Sequence, residues 1–442
     1  MKIEVFLFGK KENCSGWCDF LDLEKIPFQY KGESFVDTGR INILAGYSRL
    51  NVPKKESEIY LIEPRRRSGL CTVSDMQNVS VHGNVVRFNN NISSNLTQDY
   101  SFNGFQELYL QREFSIGRMR EGLLKAFSLA SLPYVHLWYY PFQSPTVLLF
   151  RQDIDYVNKK SVRKLLRLTN QLSVKGTYFI NVSGEEEYDE LIGHLKLKKP
   201  TTPARNLSLK EVLASGNELA NHGYWHYVFD DTVENSKNIR KGRAYLKRIF
   251  GITAEGFASP GGEWNKNLLR ALEINNLLYA CNGCSDVVGF PFHPRWNRKI
   301  FKFLELVFYK ICDGSFESEG GDAACLTSQE IGILSDILES YADGQIKENK
   351  PIAIMGHPHL SGNFAERVYL PVLKRLKKLG VPAITLSNFS KWWTRREDMG
   401  LDYSIGDGAL TINTTEPAFI RMIYKGKKKI MKINKELILR FP

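Results

Sequence analysis

The chain has 442 residues, 43% hydrophobic and 24% charged, a globular balance that excludes extended disorder and a length that exceeds one core. Its formal net charge is +12, a sign that suits nucleic acid, anionic membrane or acidic glycans, although a solvated basic surface is the plainer account. No run of about twenty apolar residues occurs, which excludes a predicted transmembrane helix, and the seven cysteines show no disulfide spacing.

Met1 to Gly9 is too short and too soon interrupted for a secretory signal and reads as a first strand, so a cytoplasmic location is expected. Up to Ser144 the signals are mixed. Ile59–Ile62 and Val81–Phe88 look extended, Asn89–Asn95 is turn-rich, and Ser115–Leu129 has helical spacing. Strands and helices then alternate. Val147–Phe150 is an apolar strand. Ser161–Val174 reads as a helix capped by Ser161. Thr177–Ile180 and Glu218–Ala220 are strands, with a capping-box pattern at Ser208-Leu209-Lys210-Glu211 between them. A helix follows at Thr232–Phe250, another at Asn267–Asn275, then a strand at Leu277–Ala280. Thr327-Ser328-Gln329-Glu330 opens a further helix. Pro351–Met355 is a strand, Glu366–Leu379 a helix, Ala383–Leu386 a last strand and Asn388–Arg396 a last helix. From Leu401 short strands return, with a hairpin turn at Lys425-Gly426.

This alternation implies parallel strands joined by crossover helices. The expected fold is α/β: a distorted (β/α) barrel over 145–398, after a mixed, strand-rich domain at 1–144 and before a small β-appendage at 399–442. In such a barrel, functional residues follow strands.

Four loops meet that condition. His222 and His226 lie four apart in Asn221-His222-Gly223-Tyr224-Trp225-His226, and imidazole suits zinc and its neighbours. Asp153 and Asp155 follow the strand at Val147–Phe150, and acids two apart on extended chain share a face. Two histidines and one carboxylate leave coordination positions open, as a catalytic metal requires. His357 follows a third strand, where it can act as a general acid; His359 is two residues further on. Ala258-Ser259-Pro260-Gly261-Gly262-Glu263-Trp264 is a loop whose glycines let backbone amides approach a substrate. Each motif alone has a plain structural account, as a polar strand end, a loop histidine or a turn. Cys281 and Cys284 form a lone CxxC without further ligands in view.

Together, in this order, the motifs resemble the polysaccharide deacetylase family, the NodB-homology domain of carbohydrate esterase family 4, over about 146–396. The resemblance implies metal-dependent N-deacetylation of N-acetylated amino sugars in a glycan or its surface-glycan precursor. It implies a divalent cation, zinc first, on His222, His226 and Asp155. It implies Asp153 as base and His357 as acid, and Pro260, Gly261, Gly262, Trp264 and His359 as substrate contacts. Order alone assigns Asp155 to the metal rather than Asp153. The family's third motif usually carries an arginine that orients the base. Here Ala258 stands in that place, and Arg151 or Arg295 is the candidate substitute. Its fourth motif has only Ser285-Asp286 as the nearest acid. Ala258 also favours a rival reading, an inactive sugar-binding protein on the same fold. Peripheral contact with anionic membrane is compatible with the Lys425–Lys435 run; nucleic acid is not expected as a partner.

Overall fold

A computed structural model gives the fold, and the structure describes residues 1–33, 38–47, 57–65, 79–99, 105–155, 157–182, 186–189, 194–197, 203–316, 327–362 and 364–440. The chain forms two compact units. Met1–Gln98, Glu107–Gln143 and Trp392–Pro442 make the first, and Asp99–Gln106 with Ser144–Lys391 make the second.

In the second unit the alternation becomes, among the described residues, a seven-stranded sheet. Its strands are β1 (Leu148–Ile154), β2 (Thr177–Ile180), β3 (Glu218–Asn221), β4 (Gly256–Ala258), β5 (Tyr279–Cys281), β6 (Leu304–Glu305) and β7 (Ile352–Gly356). The spatial order is β6-β5-β4-β3-β2-β1-β7, and every ladder is parallel. Among the described residues no ladder joins β6 to β7, so the sheet is a half-barrel, the open form of a distorted (β/α) barrel. The crossover helices include α1 (Lys159–Leu172), α2 (Pro203–Ala214), α3 (Thr232–Phe250), α4 (Lys266–Ile274), α5 (Ser328–Glu348) and α6 (Ala365–Lys378).

The period of two on β1 decides what faces where. Leu148, Phe150 and Ile154 join the core with Val162 and Leu165 of α1 and Val368 and Val372 of α6. Arg151 and Asp153 alternate to the other face. This strand runs on past Phe150, where the sequence pattern ends it, because the barrel's parallel ladders also pair Arg151, Gln152, Asp153 and Ile154 with β2.

The capping signals of the sequence are met in part. The box at Thr327 and Glu330 forms and opens α5. Helix α1 is capped by Asn158, whose side chain accepts from the Ser161 amide at 3.1 Å, so Ser161 lies inside the first turn rather than at the cap. Ser208 and Glu211 fall inside α2, which already begins at Pro203, a residue suited to a first helical position; Glu211 pairs with Arg163 of α1 instead. The strand expected at Ala383–Leu386 shrinks to one bridge between Leu148 and Ala383, because a helix begins at Leu386.

Glu305 on β6 is fully buried and ties down the loop after β5. Its Oε1 accepts from the amides of Asn282 at 2.6 Å and Gly283 at 2.9 Å, and its Oε2 from Asn282 Nδ2 at 3.0 Å. Burial pushes its carboxyl up to about 8. Asn282 Oδ1 is buried without a hydrogen-bond partner, so turning that amide over offers an acceptor to a protonated Glu305. The folded state then binds this proton more tightly than the unfolded chain. Stability of the unit is expected to fall as pH rises from about 4.5 to about 8 and to level off above. Glu305→Gln should flatten that slope in melting curves taken across the range; an unchanged slope would assign it to other groups.

Among the described residues the first unit holds a six-stranded sheet. Its order is Phe28–Gly32, Val5–Phe8, Ile41–Ala45, Ile59–Glu63, Val85–Phe88, Val79–His82. Only the last ladder is antiparallel. The stretch Val81–Phe88 folds back on itself at Gly83, whose φ of 59° suits a tight turn. The helix read from Ser115 begins at Phe105. The strands after Leu401 are met as expected, with the hairpin at Lys425-Gly426. They also have partners upstream: Ala418–Tyr424 pairs antiparallel with Tyr134–Leu137. Leu137, Tyr403, Ile412 and Ile420 share one core with Val5 and Ile43.

A buried ion cluster closes the helix Lys11–Glu24. Glu24 is 0% exposed. Arg120 donates to its Oε1 through Nε at 3.1 Å and Nη2 at 2.6 Å, joined by the Tyr139 hydroxyl at 2.7 Å, and Tyr134 donates to Oε2 at 2.6 Å. Burial opposes the charge on Glu24, but the Arg120 guanidinium beside it holds the carboxyl well below the usual carboxylate range.

Candidate metal centre

The carboxyl ends of the parallel strands converge on one group of side chains in the second unit. Strand β1 carries Asp153 and delivers Asp155 one residue past its end. Strand β3 delivers His222, and β7 delivers His357. Between His222 and His226 the chain turns through Gly223, at φ 88°. Two asparagines fix this turn. Asn221 Oδ1 accepts from the Gly223 amide at 3.0 Å, and Asn238 of α3 accepts from the Trp225 amide at 2.8 Å while donating to the carbonyls of Trp225 and Tyr227. A Cβ on Gly242 of α3 would collide with Asn221, so glycine there lets the helix approach the strand end.

The result is a triangle of donor atoms. Asp155 Oδ1 lies 3.1 Å from His222 Nε2 and 3.2 Å from His226 Nε2, and the two nitrogens are 3.1 Å apart. His222 Nδ1 is 2.9 Å from the Ala258 carbonyl, which fixes the Nδ1–H tautomer and leaves Nε2 as a lone-pair donor. Asp155 Oδ1 is buried and makes no hydrogen bond of good geometry. A buried carboxylate oxygen in that state calls for a cation. The centre of such a triangle lies about 1.8 Å from each corner, so the spacing of the three donors suits an ion bound at the ~2.0–2.2 Å typical of zinc with imidazole and carboxylate. Burial opposes ionisation of Asp155, but the two imidazoles hold its carboxyl well below the usual range.

Two ion pairs flank the triangle. Asp153 takes a bidentate bond from Arg151, Nε to Oδ1 at 2.8 Å and Nη2 to Oδ2 at 2.5 Å; its Oδ2 is 3.9 Å from His222 Nε2. Burial raises its carboxyl, but the guanidinium outweighs that and keeps it low. On the other side His357 Nδ1 donates to Asp313 Oδ1 at 2.8 Å, and its backbone amide to Oδ2 at 2.8 Å. Burial lowers the imidazole, but the Asp313 carboxylate raises it well above its ordinary value. His357 Nε2 is left 3.9 Å from Asp155 Oδ2. The centre therefore sets a carboxylate and an imidazolium on either side of the three donor atoms.

Residues 143–280 match the model of the polysaccharide deacetylase family. The chain carries a polysaccharide deacetylase domain. No curated protein matches the chain. Among solved structures, a polysaccharide deacetylase candidate from Mycobacterium smegmatis is 16% identical over 58% of this chain and 93% of its own, with a TM-score of 0.46. A CE4 family pseudoenzyme from Bacillus anthracis is 11% identical over 57% and 66%, with a TM-score of 0.36. The peptidoglycan deacetylase PdaC from Bacillus subtilis is 14% identical over 58% and 95%, with a TM-score of 0.35.

In the second unit the remaining sequence candidates fare differently. Pro260 is buried and Gly261 and Gly262 are exposed on the loop after β4. Trp264 is 2% exposed and packs on Phe105 at 4.9 Å between ring centroids, so it is a wall behind the loop with no open ring face for a sugar. His359 lies 5.8 Å from His357 between ring centroids, and burial lowers its imidazole. Asp286 is exposed and paired with Lys310 at 2.8 Å; the acid that meets His357 is Asp313. Its signal in the sequence is slight, an Asp-Gly pair after the apolar run Phe303–Tyr309. Cys281 is buried and its thiol is pushed up by that burial, a poor state for ligating a metal. Burial likewise pushes the Cys284 thiol up to about 11.

Proposed function

We propose that the chain is a metal-dependent N-deacetylase that releases acetate from N-acetylated amino sugars of a glycan or of a surface-glycan precursor. The observation that carries this reading is the triangle of donor atoms from Asp155, His222 and His226, in which the buried Asp155 Oδ1 has no hydrogen bond, set between an ionised Asp153 and a protonated His357. Two imidazoles and one carboxylate suit zinc, with positions left open for water and substrate. When bound, such an ion polarises a carbonyl and lowers the pKa of its water to about 7.

The chain's own residues supply the rest. Asp153 takes a proton from the attacking water as oxygen adds to the acetamide carbon. The exposed backbone at Gly261 is free of a side chain and offers its N–H to the oxyanion. His357 gives its Nε2 proton to the leaving nitrogen as the C–N bond breaks, while Asp313 on Nδ1 keeps the ring oriented. Acetate and a free amino sugar are the products.

The test is direct. Zinc-loaded protein incubated with N-acetylglucosamine oligomers and related N-acetylated glycans should release acetate and free amine in equal amounts. Absence of acetate from all of them sinks the reading. Ala258 favours a second one, a sugar-binding protein without turnover; it predicts retention of the same oligomers with no acetate and no sensitivity to Asp153→Asn.

A further inference from the structure

We infer that Arg151 is the positioning residue for Asp153, and that this chain supplies the function of the arginine missing at Ala258 from the strand that bears the base itself. The inference rests on the deacetylase reading. Arg151 and Asp153 are two apart on β1, so both project to one face. That spacing lets a planar guanidinium grip both oxygens of the carboxylate, at 2.8 and 2.5 Å.

The guanidinium is itself held. It is 2% exposed. Nη1 donates to the Cys281 carbonyl at 3.0 Å, at the end of β5, four strands away from β1 in the sheet order. The Phe179 and Phe308 rings lie 5.3 and 5.4 Å from its central carbon. The carbonyl that anchors it belongs to the turn that Glu305 ties through Asn282 and Gly283. One arm thus reaches a fixed carbonyl while the other two set the direction of the Asp153 carboxylate. Neither Asp153 oxygen can rotate toward the metal ligands without breaking a charge-assisted bond. Asp153 stays a base beside the ion rather than becoming a fourth ligand, and Asp155 keeps that role.

The position at 258 fits this exchange. Ala258 is fully buried on β4, and its contribution to the centre is its carbonyl, which receives the His222 Nδ1 proton. A side chain is not needed there once the guanidinium comes from β1.

The experiment uses the full zinc-loaded chain. Arg151→Ala is expected to lower kcat about 100-fold, the cost of a misplaced catalytic group, with KM within about threefold. Zinc content by atomic absorption should stay at the wild-type ratio. Guanidinium at tens of millimolar should recover about tenfold of the lost rate, while leaving the wild type unchanged. Arg151→Lys, which keeps the charge but not the parallel pair of bonds, should fall about tenfold. If Arg151→Ala does not fold, Arg151→Lys decides. Wild-type rates in Arg151→Lys or in a folded Arg151→Ala overturn the inference. So does a loss of zinc together with rate, or a loss that guanidinium leaves untouched, since either marks a merely structural arginine. A wild-type chain that releases no acetate overturns the functional reading, and this assignment with it; acetate from the wild type with an indifferent Arg151 overturns this assignment alone.

Discussion

Asp155→Ala is expected to empty the centre and stop turnover, whereas Asp153→Asn is expected to stop turnover with the zinc still in place. Removing Asp155 takes one of three donor atoms from a triangle with edges of 3.1–3.2 Å. Zinc affinity should fall by well over the ~10–100-fold seen when only an outer partner of a ligand is lost. Asp153 stands apart, its Oδ2 lying 3.9 Å from His222 Nε2 and both its oxygens engaged by Arg151. Its amide should cost roughly 10²–10⁴-fold in rate, the usual contribution of a positioned base. Metal analysis and acetate release on the same preparations separate the two. Zinc retained by Asp155→Ala and lost by Asp153→Asn would exchange their roles. Equal zinc loss in both would mean that the two carboxylates act as one ligand set.

The largest loss of stability is expected from Glu24→Ala in the first unit. Glu24 is wholly buried and accepts four hydrogen bonds, two from Arg120 and one each from Tyr134 and Tyr139. Its removal leaves the Arg120 guanidinium and two phenols without their acceptor. Breaking a buried pair from one side costs about 3–5 kcal/mol, which lowers the transition of a unit of this size by roughly 10 °C. Because the Glu24 carboxyl is held low by Arg120, its stabilisation is complete above the ordinary carboxylate range and is lost as pH falls through it. Calorimetry of Glu24→Ala should show a lowered transition with a weaker acid dependence than the wild type. Loss of less than about 1 kcal/mol would mean that water replaces the carboxylate, placing the cluster at the level of a surface pair.

The centre was legible where its chemistry coincided with a local pattern. His222 and His226 sit four apart after a strand, and Asp153 and Asp155 two apart at the end of another, so spacing alone brought them into view. The alternation that predicted parallel strands also predicted which ends of those strands matter. What escaped depended on contacts distant in sequence. Asp313 reaches His357 across 44 residues, and nothing near Asp313 distinguishes it from Asp286, an acid of similar standing that turns out to pair with Lys310 at the surface. Trp264, expected among the substrate contacts, has its ring packed on Phe105. Arg151 could be named as one of two candidates, but only the bidentate geometry separates it from Arg295. Errors in the fold have the same origin. Ser161 and Ser208 have good capping chemistry, yet Asn158 and Pro203 begin their helices earlier, and local propensity does not rank competing starts.

The shared core of the first unit has a consequence for how the chain is made. Strand Tyr134–Leu137 finds its partner in Ala418–Tyr424, and the residues between Ser144 and Lys391 belong to the other unit. A ribosome adding about 5–20 residues per second takes some tens of seconds to cross those roughly 250 residues. During that time the second unit's strands and helices are all available, while Val135, Leu137 and their neighbours have no strand to pair with. A strand made some 280 residues later is therefore the one that lets Tyr134–Leu137 finish pairing. A nascent chain stalled before Leu401 should present the apolar face of 134–137 to chaperones, even where the second unit is already formed.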